Sequence, residues 1–203
     1  MLTNLVVSFW NKLFGFKKKT SRSDRESPYL PKKSDEIEIV FAKLFTEKGG
    51  KFIYSEDPKS TDNYFKLILQ ENNWDNNDIL CFNENIADRF HIRCQSINVN
   101  IDKFKVFLID CEYLIANKGT ILICDHQLKN FKLNKLPPFL IVFSGLKNFV
   151  NDVSEGMTSL KNKYSDRLPS NITTLNVKNS DDEKDFLSYG NSAKSLYLLL
   201  QES

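Results

Sequence analysis

FKVFLIDCEYLIANKGTILIC, residues 104–124, is the stretch that decides the fold of this chain. Residues 106–109 are an unbroken apolar run rich in strand-forming residues, which predicts a strand that is buried on both faces. Residues 120–124 are a second such run. Between the two runs lies Asn117-Lys118-Gly119-Thr120, where the glycine can adopt the positive φ that a tight turn requires. The stretch therefore predicts strands with a local hairpin at Lys118–Gly119.

Polar side chains lie inside this apolar block. Asp110, Cys111 and Glu112 follow the first run directly, and Asn117 lies at the turn. A core with a polar rim is where ligand sites form, so we expect the functional site here. Composition and spacing alone predict a soluble α/β domain and do not identify its chemistry.

The bulk composition is that of an ordinary globular protein. The 203 residues fit one domain plus a small appendage, with 41% hydrophobic and 27% charged residues. The net charge is +2, and the 28 basic residues are dispersed except near the N-terminus, which argues against a nucleic-acid-binding face. No apolar run approaches the roughly 18 residues of a membrane span.

The cysteines give no sign of a metal or iron–sulfur site. Cys81, Cys94, Cys111 and Cys124 form no C-x-x-C pair, and the sequence has two histidines, His91 and His126. We interpret all four as free, mostly buried thiols in a reducing cytoplasm, and we expect no metal bound by this chain. Disulfides between distant pairs are the less favoured alternative.

The N-terminal region differs from the rest of the chain. Residues 1–19 combine apolar residues at helical spacing with a lysine cluster at residues 17–19, which predicts an amphipathic helix. Such a helix suits weak peripheral membrane contact or docking to a partner, and the alternatives are a helix that folds back on its own domain or one that is loosely ordered. Residues 20–33, with Pro28 and Pro31, are predicted to be a flexible linker.

Strands alternate with helices in the domain that we assign to residues 34–203. This order predicts an α/β fold with a largely parallel sheet flanked by helices and a local β-hairpin. Helices are predicted over residues 35–49, 61–72, 83–90 and 144–163, and strands over residues 51–55, 78–82, 92–99, 106–109, 120–124, 139–143, 172–177 and 195–200.

Residues 111–121, CEYLIANKGTI, resemble the LUD domain family, to which the lactate-utilisation protein LutC belongs. The family has a similar acidic and apolar lead-in, an IA-x-x-G-T/S turn and a following strand. Three further segments resemble its motifs: Gly49-Gly50-Lys51-Phe52, residues 135–143 with a Leu-Pro step and an apolar strand, and residues 189–197 at the start of the last strand. Together with the central motif, the resemblance covers residues 36–202.

The resemblance implies a fold like that of the NagB/RpiA/CoA-transferase group, with ligand sites at strand ends. It also implies a role beside an iron–sulfur subunit and another oxidoreductase subunit in the conversion of L-lactate to pyruvate. Because this chain lacks the cysteines for a cluster, any redox centre would belong to a partner. One segment departs from the family: residues 173–180, TTLNVKNS, lack its Gly-Pro-Ser-rich pattern, so a ligand site built on that segment would be lost or altered.

Two candidate sites lie in the central stretch. Residues Asn117, Lys118, Gly119 and Thr120 could hold an anion with backbone N–H groups and the threonine hydroxyl. A plain hairpin turn is the alternative, and the residues alone favour it. Glu112 could be a general base or a nucleophile, as carboxylates are in CoA-transferase chemistry, or simply a carboxylate at the rim.

Other candidates lie outside that stretch. Ser144 and Gly145 follow a buried strand and are predicted to open a helix, where anions bind; an ordinary N-cap serine is the alternative. Gly190, Asn191 and Ser192 could supply backbone donors before the last strand, or form a turn. His126 is a candidate for proton transfer. We interpret Cys111 as a buried apolar residue.

Three hypotheses of function follow. The leading one is a cytoplasmic, LutC-like protein that serves as a non-redox subunit or accessory factor in lactate oxidation and binds a small anionic metabolite or a partner subunit. The alternative is a free-standing enzyme acting on a CoA ester, folate or sugar phosphate with Glu112 as the catalytic carboxylate. The third is an interaction module tethered by its N-terminal helix. The sequence has no P-loop, G-x-G-x-x-G, G-x-S-x-G or H-E-x-x-H motif.

Overall fold

Five parallel strands form the central sheet of the computed structural model, which describes residues 36–175, 177 and 194–202. The predicted helix of residues 1–19, the linker and residues 190–192 lie outside the described residues. In chain order the strands are β1 Lys51–Ser55, β2 Ile79–Leu80, β3 Val106–Asp110, β4 Tyr113–Ile115, β5 Thr120–Ile123, β6 Phe139–Gly145, β7 Phe149–Val150, β8 Thr173–Leu175 and β9 Ser195–Gln201. The helices are α1 Ile37–Glu47, α2 Pro58–Glu71, α3 Glu84–Arg89, α4 Asp125–Leu128 and α5 Val153–Lys163.

The central sheet has the strand order β1-β9-β6-β3-β2, and every neighbouring pair is parallel. β3 is buried on both faces, because its alternate side chains enter two different apolar clusters. Phe107 and Ile109 share a cluster with α1, and Val106 and Leu108 share one with α2 and α3. Helices therefore cover both faces, and the predicted α/β fold with a largely parallel sheet is confirmed.

A second, mixed sheet has the order β7-β4-β5-β8. β4 and β5 pair antiparallel, with Leu114 opposite Ile121, and the short 3-10 turn Ala116–Lys118 joins them. Gly119 ends this turn with a φ of 53°, the left-handed conformation that glycine tolerates best. The predicted hairpin is confirmed.

The turn of this hairpin packs directly on α1. A Cβ atom at Gly119 would lie 2.6 Å from the Phe45 backbone nitrogen and 2.7 Å from the Leu44 carbonyl carbon. Phe41 and Phe45 are one helical turn apart and stack with their ring centroids 5.4 Å apart, in the cluster that covers the central sheet. Helix α1 thus joins the two sheets through one close backbone contact and one aromatic face.

Local hydrogen bonds explain where two helices begin. The Asp57 carboxylate accepts from the backbone N–H groups of Lys59 and Ser60, so α2 starts at Pro58, earlier than the predicted residue 61. The Asp152 carboxylate accepts from the Glu155 N–H and starts α5 at Val153.

Among the described helices, none has the length and apolarity needed to cross a membrane.

Two predicted elements are wrong. Residues 92–99 form no strand; their polar side chains leave little apolar surface to bury, and the Gln95 N–H donates to the Cys81 carbonyl outside the sheet. The α-helix predicted to start at Ser144 starts only at Val153, because pairing with Leu200 and Gln201 extends β6 through Ser144 and Gly145 and a 3-10 turn, Leu146–Asn148, follows. The short strand β7 follows before α5 begins.

Candidate functional site

A cavity of about 490 Å³ opens at the carboxyl ends of β2 and β3. This is the edge of a parallel sheet where ligands commonly bind, because the loops that leave the strands surround it. Four elements supply its walls: the end of β3, the residues that lead into α3, helix α4, and the end of α5. The lining residues are Phe82, Asn83, Glu84, Asn85, Phe107, Leu108, Ile109, Asp110, His126, Gln127, Lys129, Lys163 and Tyr164.

Glu112 lies behind the α4 and α5 side of this cavity and is buried, with its residue 1% exposed. Its Oε2 accepts from the Lys163 ammonium at 2.8 Å. Its Oε1 accepts from Gln127 Nε2 at 2.8 Å, from the Tyr164 hydroxyl at 3.0 Å and from Cys124 Sγ at 3.3 Å. The carboxylate thereby fixes three side chains that line the cavity without lining it itself.

The charges of this cluster are set by burial and by the hydrogen bonds. Burial alone would raise the pKa of Glu112, but the hydrogen bonds from Lys163, Gln127 and Cys124 outweigh it, so the pKa is lower than usual. Burial acts to lower the pKa of Lys163, yet the Glu112 carboxylate raises it above its usual value. Burial and the bond to Glu112 raise the pKa of Tyr164 to about 12. At neutral pH the cluster is therefore an ionised carboxylate, an ammonium and a neutral phenol.

Gln127 is hydrogen-bonded to Glu112 and lies near a second carboxyl group, that of Asp110. Its Oε1 accepts from the Cys124 backbone N–H at 3.0 Å, which orients its amide nitrogen toward the Glu112 carboxylate. The nitrogen donates to Glu112 at 2.8 Å, and the Gln127 amide is close enough to Asp110 to act on the pKa of that carboxyl group. Gln127, Glu112 and Lys163 thus form one hydrogen-bonded chain, and Asp110 lines the same cavity as Gln127 and Lys163.

Asp110 is the last residue of β3, is half-buried, and lines the cavity. Burial raises its pKa, and the nearby charge of Glu112 adds to this, while the Asn83 and Gln127 amides act in the opposite direction. None of the ion pairs between described residues involves Asp110. It is a carboxyl group at the cavity that forms no ion pair with any residue in the described part of the chain.

Glu112, Cys124 and His126 place three metal-ligating atoms within 4.8 Å of one another. The Glu112 carboxylate already accepts the four bonds described above, one of them from an ammonium. Burial raises the pKa of Cys124 to about 12, so its sulfur is a thiol rather than the thiolate that metals prefer. Hydrogen bonds and one ion pair therefore account for this cluster, and the expectation of no metal stays a prediction.

The turn of residues 117–120 does not line the cavity. The Asn117 N–H donates to the Asn151 carbonyl at 3.0 Å, and the Gly119 N–H donates to the Ala116 carbonyl at 3.2 Å. The Lys48 ammonium donates to the Lys118 carbonyl, and the Thr120 hydroxyl is buried with no partner among the described residues. Two of the backbone donors proposed for an anion are thus engaged within the fold, and anion binding at this turn stays a prediction.

Ser144 and Gly145 also lie away from the cavity lining. The buried Ser144 hydroxyl accepts from Cys111 Sγ at 3.4 Å and donates to the Gly145 carbonyl at 3.3 Å. Burial raises the pKa of the Cys111 thiol to about 12, in line with its interpretation as a buried apolar residue. Of the histidines, His126 lines the cavity, with its ring 4.8 Å from the Tyr164 ring.

The central stretch contributes to the cavity, but several of the lining residues were not predicted from the sequence. Asp110 was noted beside the apolar run but was not chosen as a candidate, although an acidic residue at the end of a fully apolar strand is a signal that the sequence displays. Asn83 entered the prediction only as the first residue of the helix of residues 83–90, directly after a predicted strand, and it caps that helix in the structure. Lys163 and Tyr164 carry no local signal, since the fold brings them to Glu112 from about 50 residues further along.

Residues 39–195 match the model of the LUD domain family. Among solved structures, the chain is similar to that of a DUF162 family protein from Deinococcus radiodurans, with 16% identity and a TM-score of 0.58. The match covers 81% of this chain and 96% of that chain. At this identity the likeness concerns the fold. No curated protein matches the chain.

Proposed function

The chain belongs to the LUD domain family, and from this membership we propose that it is a LutC-like accessory subunit in the oxidation of L-lactate to pyruvate. It carries no redox centre of its own, acts in the cytoplasm, and binds a small anionic metabolite in the cavity at the carboxyl ends of β2 and β3. The observation that carries the proposal is the anchoring of Lys163 at the cavity by the buried Glu112 carboxylate.

The position of Lys163 suits anion binding. Its side chain is 51% exposed although one of its N–H groups donates to Glu112, so the other two N–H groups are available to a ligand. Because the ion pair fixes the ammonium before a ligand arrives, binding loses less side-chain entropy. The nearby His126 and Lys129 add hydrogen-bond donors to the same cavity, whereas the single O–H of Tyr164 already donates to Glu112.

The cysteines support a role without a bound cluster. All four are free thiols, and burial raises the pKa of each of them. A cluster is held by thiolates, which these environments disfavour. The redox centres of lactate oxidation would therefore come from iron–sulfur and oxidoreductase partner subunits.

A titration of the full chain with L-lactate and with pyruvate, read by calorimetry, tests the anion site. We expect Lys163→Met to weaken binding by about tenfold or more, because a hydrogen bond to a charged group contributes roughly 1.5–3 kcal/mol. Lys163→Arg keeps the charge and should retain most of the affinity. Lys161→Met, an exposed lysine on the same helix, is the matched control. Equal affinities for the two methionine variants would refute the site.

Gentle affinity purification of the tagged protein from lactate-grown native cells tests the subunit role. A co-purifying iron–sulfur protein with brown visible absorbance is the expected result. A colourless protein that purifies alone would contradict the role of a subunit while leaving the titration result intact.

A second function, a free-standing enzyme acting on a CoA ester, folate or sugar phosphate, is favoured by Asp110. A carboxyl group at a cavity with a raised pKa is suited to general acid–base catalysis. Asp110 fits this role better than Glu112, whose oxygens are already hydrogen-bonded. In this case Asp110→Asn would abolish turnover of one of these substrates in a folded protein, and turnover that persists in the variant would exclude the assignment.

A further inference from the structure

We propose that Cys81 and Cys94 are a redox-active pair, which closes to a reversible disulfide when the protein meets a peroxide. The pair lies beside the cavity, because Phe82 and Asn83 of the cavity lining directly follow Cys81 in the chain. The modification does not depend on which metabolite the cavity binds.

A backbone hydrogen bond brings the two cysteines together. Cys81 directly follows β2, and its carbonyl accepts from the Gln95 N–H at 2.8 Å. This bond sets Cys94 beside Cys81 as in two paired extended chains, where neighbouring Cα atoms are roughly 5–6 Å apart. A disulfide spans Cα separations of about 4.4–6.8 Å, so the spacing of the backbone suits one.

Both thiol side chains point to the same face of the central sheet. Successive side chains of an extended chain point to opposite faces. Cys81 enters the apolar cluster of α2 and α3, whereas Leu80 before it enters the cluster on the other face. Ile92 and Cys94 pack in the cluster of α2 and α3, and Arg93 between them is exposed. The two sulfur atoms therefore lie on one side of the paired chains.

The other two cysteines are engaged elsewhere. The Cys111 thiol donates to the Ser144 hydroxyl at 3.4 Å, and Cys124 Sγ lies 3.3 Å from a Glu112 oxygen. Both thiols are buried. They serve as internal controls for the pair.

The exposure of the two thiols assigns their roles. Cys94 is partly exposed and can meet a peroxide, whereas Cys81 is fully buried. The Cys94 sulfur attacks the O–O bond, which gives a sulfenic acid and one water molecule. The Cys81 sulfur then displaces the hydroxyl group of the sulfenic acid, forms the S–S bond and releases a second water molecule. The two thiols lose two electrons and two protons in total, and the peroxide takes up both.

Burial makes this reaction slow. It raises the pKa of both thiols, that of Cys81 to about 12. A small thiolate fraction slows the attack on a peroxide. The pair should therefore respond to sustained oxidation and be returned to two thiols by a dithiol reductant.

The disulfide should stiffen one wall of the cavity. Helix α3 lies between the two cysteines in the chain, and its first residues line the cavity. The Asn83 carbonyl accepts from the Cys81 thiol at 3.4 Å, and Asn83 Oδ1 accepts from the Ile86 N–H at the start of the helix, also at 3.4 Å. A bond between Cys81 and Cys94 restrains the chain on both sides of α3, so local opening of this helix becomes rarer.

The test is treatment of the full, folded chain with hydrogen peroxide, followed by alkylation in denaturant and mass spectrometry. We expect two of the four free thiols to disappear and the chain to lose about 2 Da. Proteolysis should yield one peptide pair, joined through Cys81 and Cys94. Dithiothreitol should restore all four thiols.

Two variants assign the bond to its residues. Cys94→Ser, at a partly exposed position, should form no disulfide under the same treatment. Cys111→Ala removes a buried thiol elsewhere and should form the bond as the wild type does. The peptide map of the wild type gives the connectivity by itself if either variant does not fold.

Three results would overturn the proposal. The first is a wild-type chain that keeps four thiols while a small dithiol treated alongside is fully oxidised. The second is a bond that joins a different pair or still forms in folded Cys94→Ser. The third is a Cys94 that is oxidised to the sulfinic acid with no disulfide.

Hydrogen exchange read by mass spectrometry tests the stiffening. Amides of residues 84–89 should exchange at least about threefold more slowly in the oxidised protein than in the reduced one, whereas those of α5 should not change. Equal exchange of α3 in the two forms would refute the effect on the cavity wall.

Discussion

Glu112→Gln is the substitution that tests the buried cluster most directly. The variant keeps the shape of the side chain, but it removes the negative charge that Lys163, Gln127 and Tyr164 share. One end of the new amide is also a donor. That end must face either the Lys163 ammonium or the three donors on the other oxygen, so at least one hydrogen bond is lost.

The cost can be worked from the contacts. Lys163 is half-exposed and can be hydrated, so the loss of its ion pair is worth about 1 kcal/mol or less. The bonds from Gln127 and Tyr164 change from a charged acceptor to a neutral one, which costs about 1 kcal/mol each. We therefore expect Glu112→Gln to lower the free energy of unfolding by about 3 kcal/mol at pH 7.

The effect of acid follows from the direction of the pKa shift. The pKa of Glu112 is lower in the folded protein than its ordinary value of 4.5, so its charge stabilises the fold fully above that value. The stabilisation is lost as the pH falls through the folded-state pKa. The difference between wild type and variant should therefore shrink in acid.

Urea unfolding of the full chain, followed by circular dichroism between pH 7 and pH 3, measures both effects. With a slope of roughly 2 kcal/mol per molar urea, a loss of about 3 kcal/mol lowers the midpoint by about 1.5 M at pH 7. Glu47→Gln, at an exposed position of α1, should change the free energy by less than about 0.5 kcal/mol. A Glu112→Gln midpoint equal to that of this control, or a deficit that stays constant in acid, would refute the reasoning.

Three further predictions concern the fold and the thiols. Gly119→Ala should lower the free energy of unfolding by at least about 2 kcal/mol, because φ is 53° at this residue and the new Cβ would clash with the α1 backbone. Gly156→Ala, whose Cβ would have its nearest contact at 3.4 Å, should be neutral or stabilising. Equal effects of the two substitutions in urea unfolding would contradict the close approach. Phe41→Ala should lower the free energy of unfolding by about 3–5 kcal/mol, since the fully buried Phe41 ring packs against three other phenylalanines. A decrease below about 1 kcal/mol in the same assay would show that these rings are not packed as described. In the native protein a thiol reagent should label Cys94 in a fast first phase, because the other three cysteines are buried. Cys94→Ser should remove this fast phase of labelling. A fast phase that persists in the variant would show that a second thiol is exposed.

Much of the fold could be predicted because its strands carry continuous apolar runs. β3, β5, β6 and β9 each correspond to such a run, and the glycine turn at Gly119 identified the hairpin. The errors arose where hydrogen bonding outweighs apolar pattern. β6 continues through Ser144 because β9 pairs with it, and a strand partner cannot be deduced from the residue itself.

The site was harder to predict because its parts come from distant segments. Glu112 was identified as a functional candidate from its position, but its burial and its four hydrogen bonds follow from Lys163, Tyr164, Gln127 and Cys124 on other elements. Asp110, although adjacent in sequence, faces the cavity because β3 ends there. Local pattern locates such groups along the chain, whereas tertiary packing decides which of them reaches a ligand.

The position of β9 between β1 and β6 has a consequence for synthesis in the cell. β1 begins at Lys51 and pairs with β9, which begins at Ser195, so on the ribosome it has no sheet partner until the later strand has been made and has left the exit tunnel. At roughly 5–20 residues per second this wait is on the order of 10 s. Through that interval the apolar strand β1, with Phe52, lacks its sheet partner, and unpaired apolar strands are prone to aggregate, which is one reason why chaperones are needed.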